Sequence, residues 1–200
     1  MKKLNAISLM FALLTIAFVV NARTVVDVSS PPMIGATIVD FTLPDAGGTA
    51  RSLSSLKGKN GTVLIFIAVQ CPVSNGYNER MEKLAQDYKA RGINVVGINA
   101  NSTESAAEVK NHAAKNNLTF PILKDNGNKI ADSLGATRTP EAYFIDAGNK
   151  LLYHGRIDNS RDVSQVNSSE LRDALDATLA GKPVPKNTAN AFGCSIKRVE

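Results

Sequence analysis

Residues Gly61 to Met81 read GTVLIFIAVQCPVSNGYNERM, and such a stretch has few options except to turn a buried strand into a helix. Val63 to Val69 is an apolar, largely β-branched run, too short to cross a membrane and suited to a strand covered on both faces. Tyr77, Met81, Leu84 and Tyr88 then follow at i, i+4, i+7 and i+11, the spacing of a helix with one buried face. Cys71 and Pro72 stand at the corner between them. A proline suits the first helical turn, where its missing N–H is no loss. Cys71 is thereby placed at the positive end of a helix, in a field that favours thiolate over thiol. A free cysteine also packs well as a small apolar residue at a strand end. The placement favours the reactive reading.

The first residues read as a targeting segment and not as part of the fold. Lys2 and Lys3 precede an apolar stretch from Ala6 to Val20, and Val20-Asn21-Ala22 offers a cleavage site after Ala22. The apolar stretch is shorter than a usual spanning helix, so no stable membrane insertion is expected after cleavage. The lipobox cysteine of a lipoprotein is absent. An exported protein is expected, periplasmic in a diderm bacterium, with residues 1–22 as signal peptide. Residues 23–181 then suffice for one ordinary domain, and residues 182–200 form a tail.

Formal net charge is +5. The signal accounts for two of the lysines, and no basic block remains to suggest nucleic acid or a membrane surface as partner. Two cysteines, Cys71 and Cys194, permit one intramolecular disulfide in an exported protein. His112 and His154 do not stand at finger-like spacing from them, so neither a metal site nor a cofactor is expected.

Along the chain, residues 23–34 read as an extended lead-in and Asp40 to Asp45 as a strand entering a hairpin at Gly47-Gly48. Ser52 to Lys59 reads as a short helical turn. The long helix after Cys71 ends near Arg91-Gly92, and Ile93 to Ile98 is a second buried strand. Asn101 with Glu104 reads as a capping box for a helix to about Asn116, with Ala106, Val109 and Ala113 inside and His112 exposed. Phe120 to Leu123 is a strand and Lys129 to Leu134 a short helix. Ala142 to Ile145 turns at Gly148-Asn149 into Leu151 to His154. Asn167 with Glu170 caps a last helix whose Leu171, Ala174, Leu175 and Leu179 share a face, stopped by Gly181 and Pro183. This order implies an α/β fold, a mixed central sheet with helices on both faces and right-handed crossovers. A tail such as 182–200 stays ordered only if tied down.

The opening DFTLPDAGG with LSSLKGK, the corner at Cys71-Pro72, and TPEAYFID from Thr139 to Asp146 resemble the thioredoxin-like superfamily in its redoxin branch. That branch takes in the alkyl hydroperoxide reductase/thiol-specific antioxidant proteins and periplasmic thiol-disulfide oxidoreductases. The resemblance runs from about Ile38 to Ala180. Exported redoxin-domain proteins are also similar at CPVSN, at YHGRIDN from Tyr153 to Asn159, and at a C-terminal Gly-Cys before Ile196-Lys197. The resemblance implies a thioredoxin-like fold with an N-terminal hairpin extension. It also implies a cis-proline at Pro140 beside the active cysteine, leaving the Thr139 backbone free to pair with a substrate chain. The chain departs from its relatives at several positions. Ser74 stands where a thioredoxin carries its second cysteine. Ala68 and Leu64 stand where a standard peroxiredoxin carries threonine and proline, and Arg138 is the candidate cation for a peroxide site. Copper-chaperone relatives use two close cysteines, and Cys71 lacks a near partner.

The reading this favours is an exported thiol-disulfide redox protein. Cys71 attacks an oxidised sulfur or a hydroperoxide, Cys194 resolves the product, and an external dithiol restores the pair. Pro72, Arg138, Thr139 and Pro140 would line the substrate side. A binding or structural module stapled by a permanent Cys71–Cys194 disulfide is the alternative. Such a bond closes a long loop worth roughly 4–5 kcal/mol in a chain-entropy treatment. Pairing of Cys194 between subunits is a third.

Overall fold

The structure, a computed structural model, describes residues 31–199; the segment read as a signal peptide and most of the lead-in lie outside the described residues. In chain order the elements are β1 (Thr42–Pro44), β2 (Ala50–Ser52), α1 (Leu53–Leu56), β3 (Gly61–Phe66), α2 (Pro72–Asn75), α3 (Asn78–Lys89), β4 (Ile93–Asn99) and α4 (Ala106–Lys115). They continue with β5 (Ile122–Lys124), α5 (Lys129–Leu134), β6 (Arg138–Thr139), β7 (Glu141–Ile145), β8 (Leu151–Gly155), α6 (Glu170–Leu179) and β9 (Cys194–Ser195).

Five strands form the central sheet in the order β5-β4-β3-β7-β8. β3, β4 and β5 run parallel, and β7 and β8 add antiparallel on the other side. The expected mixed sheet is therefore present, and strand alternation builds its two cores. Val63, Ile65 and Ile67 face one side with Met81, Leu84 and Tyr88 of α3, Val109 of α4, and Leu171 and Leu175 of α6. Leu64 and Phe66 face the other, with Leu53 of α1, Ala131 and Leu134 of α5, and Ile196 of the tail. β3 is buried at all six positions, which is why its sequence shows no polar alternation. The N-terminal hairpin forms as expected: β1 pairs antiparallel with β2, and the Asp45 carboxylate accepts the Gly47 and Thr49 amides to close the turn.

Four local expectations are corrected. The stretch after Cys71 is not one helix but two, because the Tyr77 amide bonds the Ser74 carbonyl three residues back, a tightening that separates α2 from α3. The capping box of α4 is Ser105 with Glu108, both bonds present, and not Asn101 with Glu104. Asn101 and Glu104 do bond each other, but in the loop before the helix, where Glu104 is needed elsewhere. α6 has Ser169 as N-cap without a side-chain bond; the Asn167 amide goes to Asn159, and the Glu170 carboxylate to Arg156. His112 is half-buried and not exposed, its ring within reach of the Asn78 and Asn116 amides, and burial pushes its pKa below the usual histidine range.

Candidate active site

Cys71 is the N-cap of α2, with Pro72 at the first helical position. Its sulfur accepts the Ser74 amide at 3.3 Å and donates to the Thr139 carbonyl at 3.3 Å. The residue is 2% exposed.

The loop that delivers Cys71 has a partner for every amide from Ile67 to Gln70. Ile67 N–H donates to the Ile98 carbonyl, and Ala68 N–H to the Ser74 hydroxyl at 3.1 Å. Ser74, at the place of a second cysteine in a thioredoxin, thus serves as a buried acceptor. Val69 and Gln70 each donate to one oxygen of the Glu104 carboxylate, both at 2.9 Å. Asn75 closes the loop from the other side by donating to the Val69 carbonyl. Buried amides must be paired, so the shape of this loop follows from these acceptors. Glu104 is itself 2% exposed and accepts from Asn99 at 2.5 Å and Asn101 at 2.9 Å. The buried Lys124 ammonium donates to the Asn99 side chain and the Asn101 carbonyl, placing a cation beside the cluster.

The tail arrives at the same place. It first runs along the edge of β8, exchanging bonds with both backbone groups of His154 through Asn187 and Ala189. Phe192 then packs edge-on to Tyr77, ring centroids 6.3 Å apart. Tyr77 is held from behind: its hydroxyl donates to Asp158 at 2.8 Å, and the Arg80 guanidinium lies 3.5 Å from its ring centre while pairing with Asp158. β9 pairs antiparallel with β6, Cys194 opposite Thr139 and Ser195 opposite Arg138. Ile196 donates to the Thr137 carbonyl and buries its side chain, and Lys197 donates to the Asn101 side chain at 2.8 Å. Asn101 therefore bridges the Glu104 carboxylate that holds the Cys71 loop and the tail that carries Cys194.

Cys194 and Cys71 stand close enough for each to shift the other's thiol, and the two move in opposite directions. Burial pushes the Cys71 thiol up, but hydrogen bonding from the neighbouring Cys194 and from the Ser74 amide outweighs it, and the net shift is downward. Cys194, which donates to its neighbour and faces its developing charge, is shifted upward. The pair can thus divide into a thiolate at Cys71 and a thiol at Cys194.

Of the residues singled out from sequence, Cys71, Pro72, Thr139, Pro140 and Cys194 are brought together, and the Thr139–Pro140 bond is cis. Arg138 is placed differently. It lies opposite Ser195, on the ribbon face away from Cys194, and bonds the Ser195 hydroxyl at 3.1 Å. Its neighbours on the chain are held by Glu141, a buried carboxylate that accepts the Thr137 and Arg138 amides and the His154 ring. Glu104, Asn101, Glu141 and Phe192 were not foreseen. The signals available were the polar run Asn99 to Glu104 directly after an apolar strand, and Phe192-Gly193 immediately before Cys194. Among the described residues no cluster of His, Cys, Asp and Glu fits a metal ion, and no helix is long and apolar enough to cross a membrane.

Comparison with known proteins gives the family. The AhpC/TSA family matches residues 34–154. The chain is 31% identical over 118 residues to the thiol-disulfide oxidoreductase ResA of Halalkalibacterium halodurans, covering 59% of this chain and 65% of that protein, just under two thirds of its length. It is 30% identical over 141 residues to the chloroplastic peroxiredoxin Q of Sedum lineare, covering 66% and 74%. Among solved structures, a hypothetical protein of Sinorhizobium meliloti 1021 superposes with a TM-score of 0.78 at 33% identity, covering 85% of this chain and 97% of that one. The chain belongs to the AhpC/TSA family, in the redoxin branch of the thioredoxin-like superfamily.

Proposed function

We propose that this protein is an exported thiol-dependent oxidoreductase in which Cys71 is the nucleophile and Cys194 the resolving cysteine. The pairing of Cys194 with Thr139, whose carbonyl also accepts the Cys71 thiol, carries the reading.

In the resting form the Cys71 proton is shared with the Thr139 carbonyl. Loss of that proton leaves a thiolate held by the Ser74 amide and the Cys194 thiol. The thiolate attacks one sulfur of a disulfide R–S–S–R′, forming Cys71–S–S–R and releasing R′S⁻. With a hydroperoxide it attacks the terminal oxygen, the O–O bond breaks, and Cys71 sulfenic acid and an alcohol result. Cys194 then attacks the Cys71 sulfur. It displaces RS⁻ from the mixed disulfide, or hydroxide from the sulfenic acid, which leaves as water with the Cys194 proton. Either route ends in Cys71–Cys194, and an external dithiol, itself oxidised to a disulfide, supplies the two electrons and two protons that return it to two thiols. Names of relatives support both oxidants, since they include a thiol-disulfide oxidoreductase and a peroxiredoxin. In this reading Thr139 and Pro140 form the ledge beside Cys71, with the Thr139 backbone paired to Cys194 and not free for a substrate chain as the sequence led one to expect. Pro72 sets the helix that holds Cys71, and Arg138 acts on the tail. No cofactor is required.

Against the permanent staple stands the way the tail is held. The β8 edge, Phe192, Ile196 and Lys197 secure it without any covalent bond, so a disulfide is free to open and close without loss of the fold. The test is Cys71→Ser and Cys194→Ser, assayed with hydrogen peroxide and a small disulfide. The reading expects no turnover from the first variant and a single stalled round, with an adduct on Cys71, from the second. Wild-type turnover by Cys71→Ser contradicts it. Export is tested by the N-terminal residue of the protein recovered from the cell envelope, expected to be Arg23.

A further inference from the structure

Beside an active cysteine, the exposed backbone of a short strand is where an extended polypeptide would add, bond for bond, as a further strand. Here that position is filled by the chain's own tail. Cys194 pairs with Thr139, Ser195 with Arg138, and Ile196 donates to the Thr137 carbonyl at 3.0 Å.

The seat is made for close approach. Gly193 has φ +148°, and a Cβ there would stand 2.0 Å from the Thr139 carbonyl oxygen, so only glycine admits the tail to this depth. Phe192 anchors one side on Tyr77, and Lys197, bonded to Asn101 and Ser102, anchors the other. Beneath it Cys71 is 2% exposed.

Resting on the reading of Cys71 as nucleophile, we propose that residues 192–197 are a selectivity strap: while seated, they exclude extended polypeptides from Cys71, and Gly193 and Phe192 set how firmly they do so. A segment tethered to the same chain competes at an effective concentration on the order of millimolar. A polypeptide at micromolar concentration, gripping the ledge equally well, is then disfavoured about a thousandfold, and it reaches Cys71 only in the fraction of molecules whose tail has lifted. The strap also places the resolving sulfur where the departing half of a polypeptide disulfide would otherwise lie. A small oxidant needs no strand pairing and escapes this competition.

The experiment uses the full chain carrying Cys194→Ser, so that Cys71 is the single thiol. Two probes are compared: hydrogen peroxide, read by trapping the Cys71 sulfenic acid, and an extended octapeptide whose one cysteine bears thionitrobenzoate. In the second reaction the Cys71 thiolate bonds the peptide sulfur and thionitrobenzoate leaves, which is read by absorbance and by protein mass. Gly193→Val is added to unseat the strap, and Phe192→Ala, in a separate protein, to loosen it. The proposal expects Gly193→Val to raise the peptide-to-peroxide rate ratio at least tenfold, and Phe192→Ala to raise it at least threefold. If Gly193→Val does not fold, Phe192→Ala decides. A ratio unchanged by the variants overturns the strap while leaving Cys71 a nucleophile. Failure of both probes to modify Cys71 in every variant instead overturns the reading of Cys71 itself, and the strap falls with it.

Discussion

Thr139 and Cys194 face each other across a two-stranded antiparallel ribbon, and the carbonyl of that same Thr139 accepts the Cys71 thiol at 3.3 Å. This one residue of β6 thus touches both the nucleophile and the second cysteine. Residues 123 positions apart in sequence meet because the tail is a strand partner and not a loose end.

Cys71 owes its lowered pKa in part to the Cys194 thiol. The rate of Cys71 alkylation by iodoacetamide, followed against pH, should therefore show a midpoint below that of an ordinary cysteine thiol. Cys194→Ala, which removes the donor, should move that midpoint upward. An unchanged midpoint would mean that Cys194 does not contribute to thiolate stability.

Glu104 is predicted to be a positioning residue for both cysteines. Glu104→Gln keeps the shape but puts an amide donor where one carboxylate oxygen now accepts a Val69 or Gln70 N–H. Breaking buried hydrogen bonds to a charged group should cost about 2–3 kcal/mol of stability. The effect that a merely structural role would not produce is on Cys71: its alkylation midpoint should shift, and the Cys71–Cys194 bond should form more slowly relative to the first oxidation. Stability loss without either change would reduce Glu104 to a folding element.

The oxidised pair should be reduced through Cys194. That sulfur is the more exposed of the two, and attack on it expels Cys71, the better leaving group because of its lower pKa. A dithiol reductant lacking its own resolving cysteine should be trapped as an adduct on Cys194, identified by peptide mass. An adduct mainly on Cys71 would contradict this order.

Acid stability should carry the mark of Glu170. Burial alone raises its pKa, but Arg156, the helix amide and Lys186 outweigh it and hold the carboxyl at about 2, against 4.5 for the free group. A carboxyl depressed on folding contributes stability that is full above the unfolded value and is lost as pH falls toward the folded one. The contribution is on the order of 2–3 kcal/mol, present above pH 5 and fading between about 4.5 and 2. Thermal melts of Glu170→Gln should show a lower Tm at pH 7 and a shallower fall across that window. His112 works in the same direction: its half-buried ring resists protonation in the folded state, so it costs stability as pH falls below about 6.5.

The sheet and its helices were legible because β3 announces itself by the apolar run Val63 to Phe66, β4 and β7 by stretches rich in apolar residues, and α3 and α6 by their stripes. Cys71 and Pro72 were legible because a strand-to-helix corner is a local feature. Caps were less so: Asn101/Glu104 and Asn167/Glu170 match the capping pattern, yet tertiary partners claim those side chains, and Ser105 and Ser169 take the N-cap positions. The break at Gly76-Tyr77, where the Tyr77 amide bonds the Ser74 carbonyl, lies within a stretch whose apolar spacing reads as one continuous helix. The seat of Cys194 depends on Gly193 fitting against Thr139, a long-range contact that no spacing rule encodes.

The central claim is a reversible Cys71–Cys194 couple, and its reduction potential tests that most directly. It is measured on the full chain by glutathione and dithiothreitol titration, with thiol alkylation and mass readout. The account predicts one intramolecular bond with a value between about −120 and −270 mV, the span of working redox catalysts. A value well below about −300 mV, or no intramolecular bond under any oxidant, would contradict it.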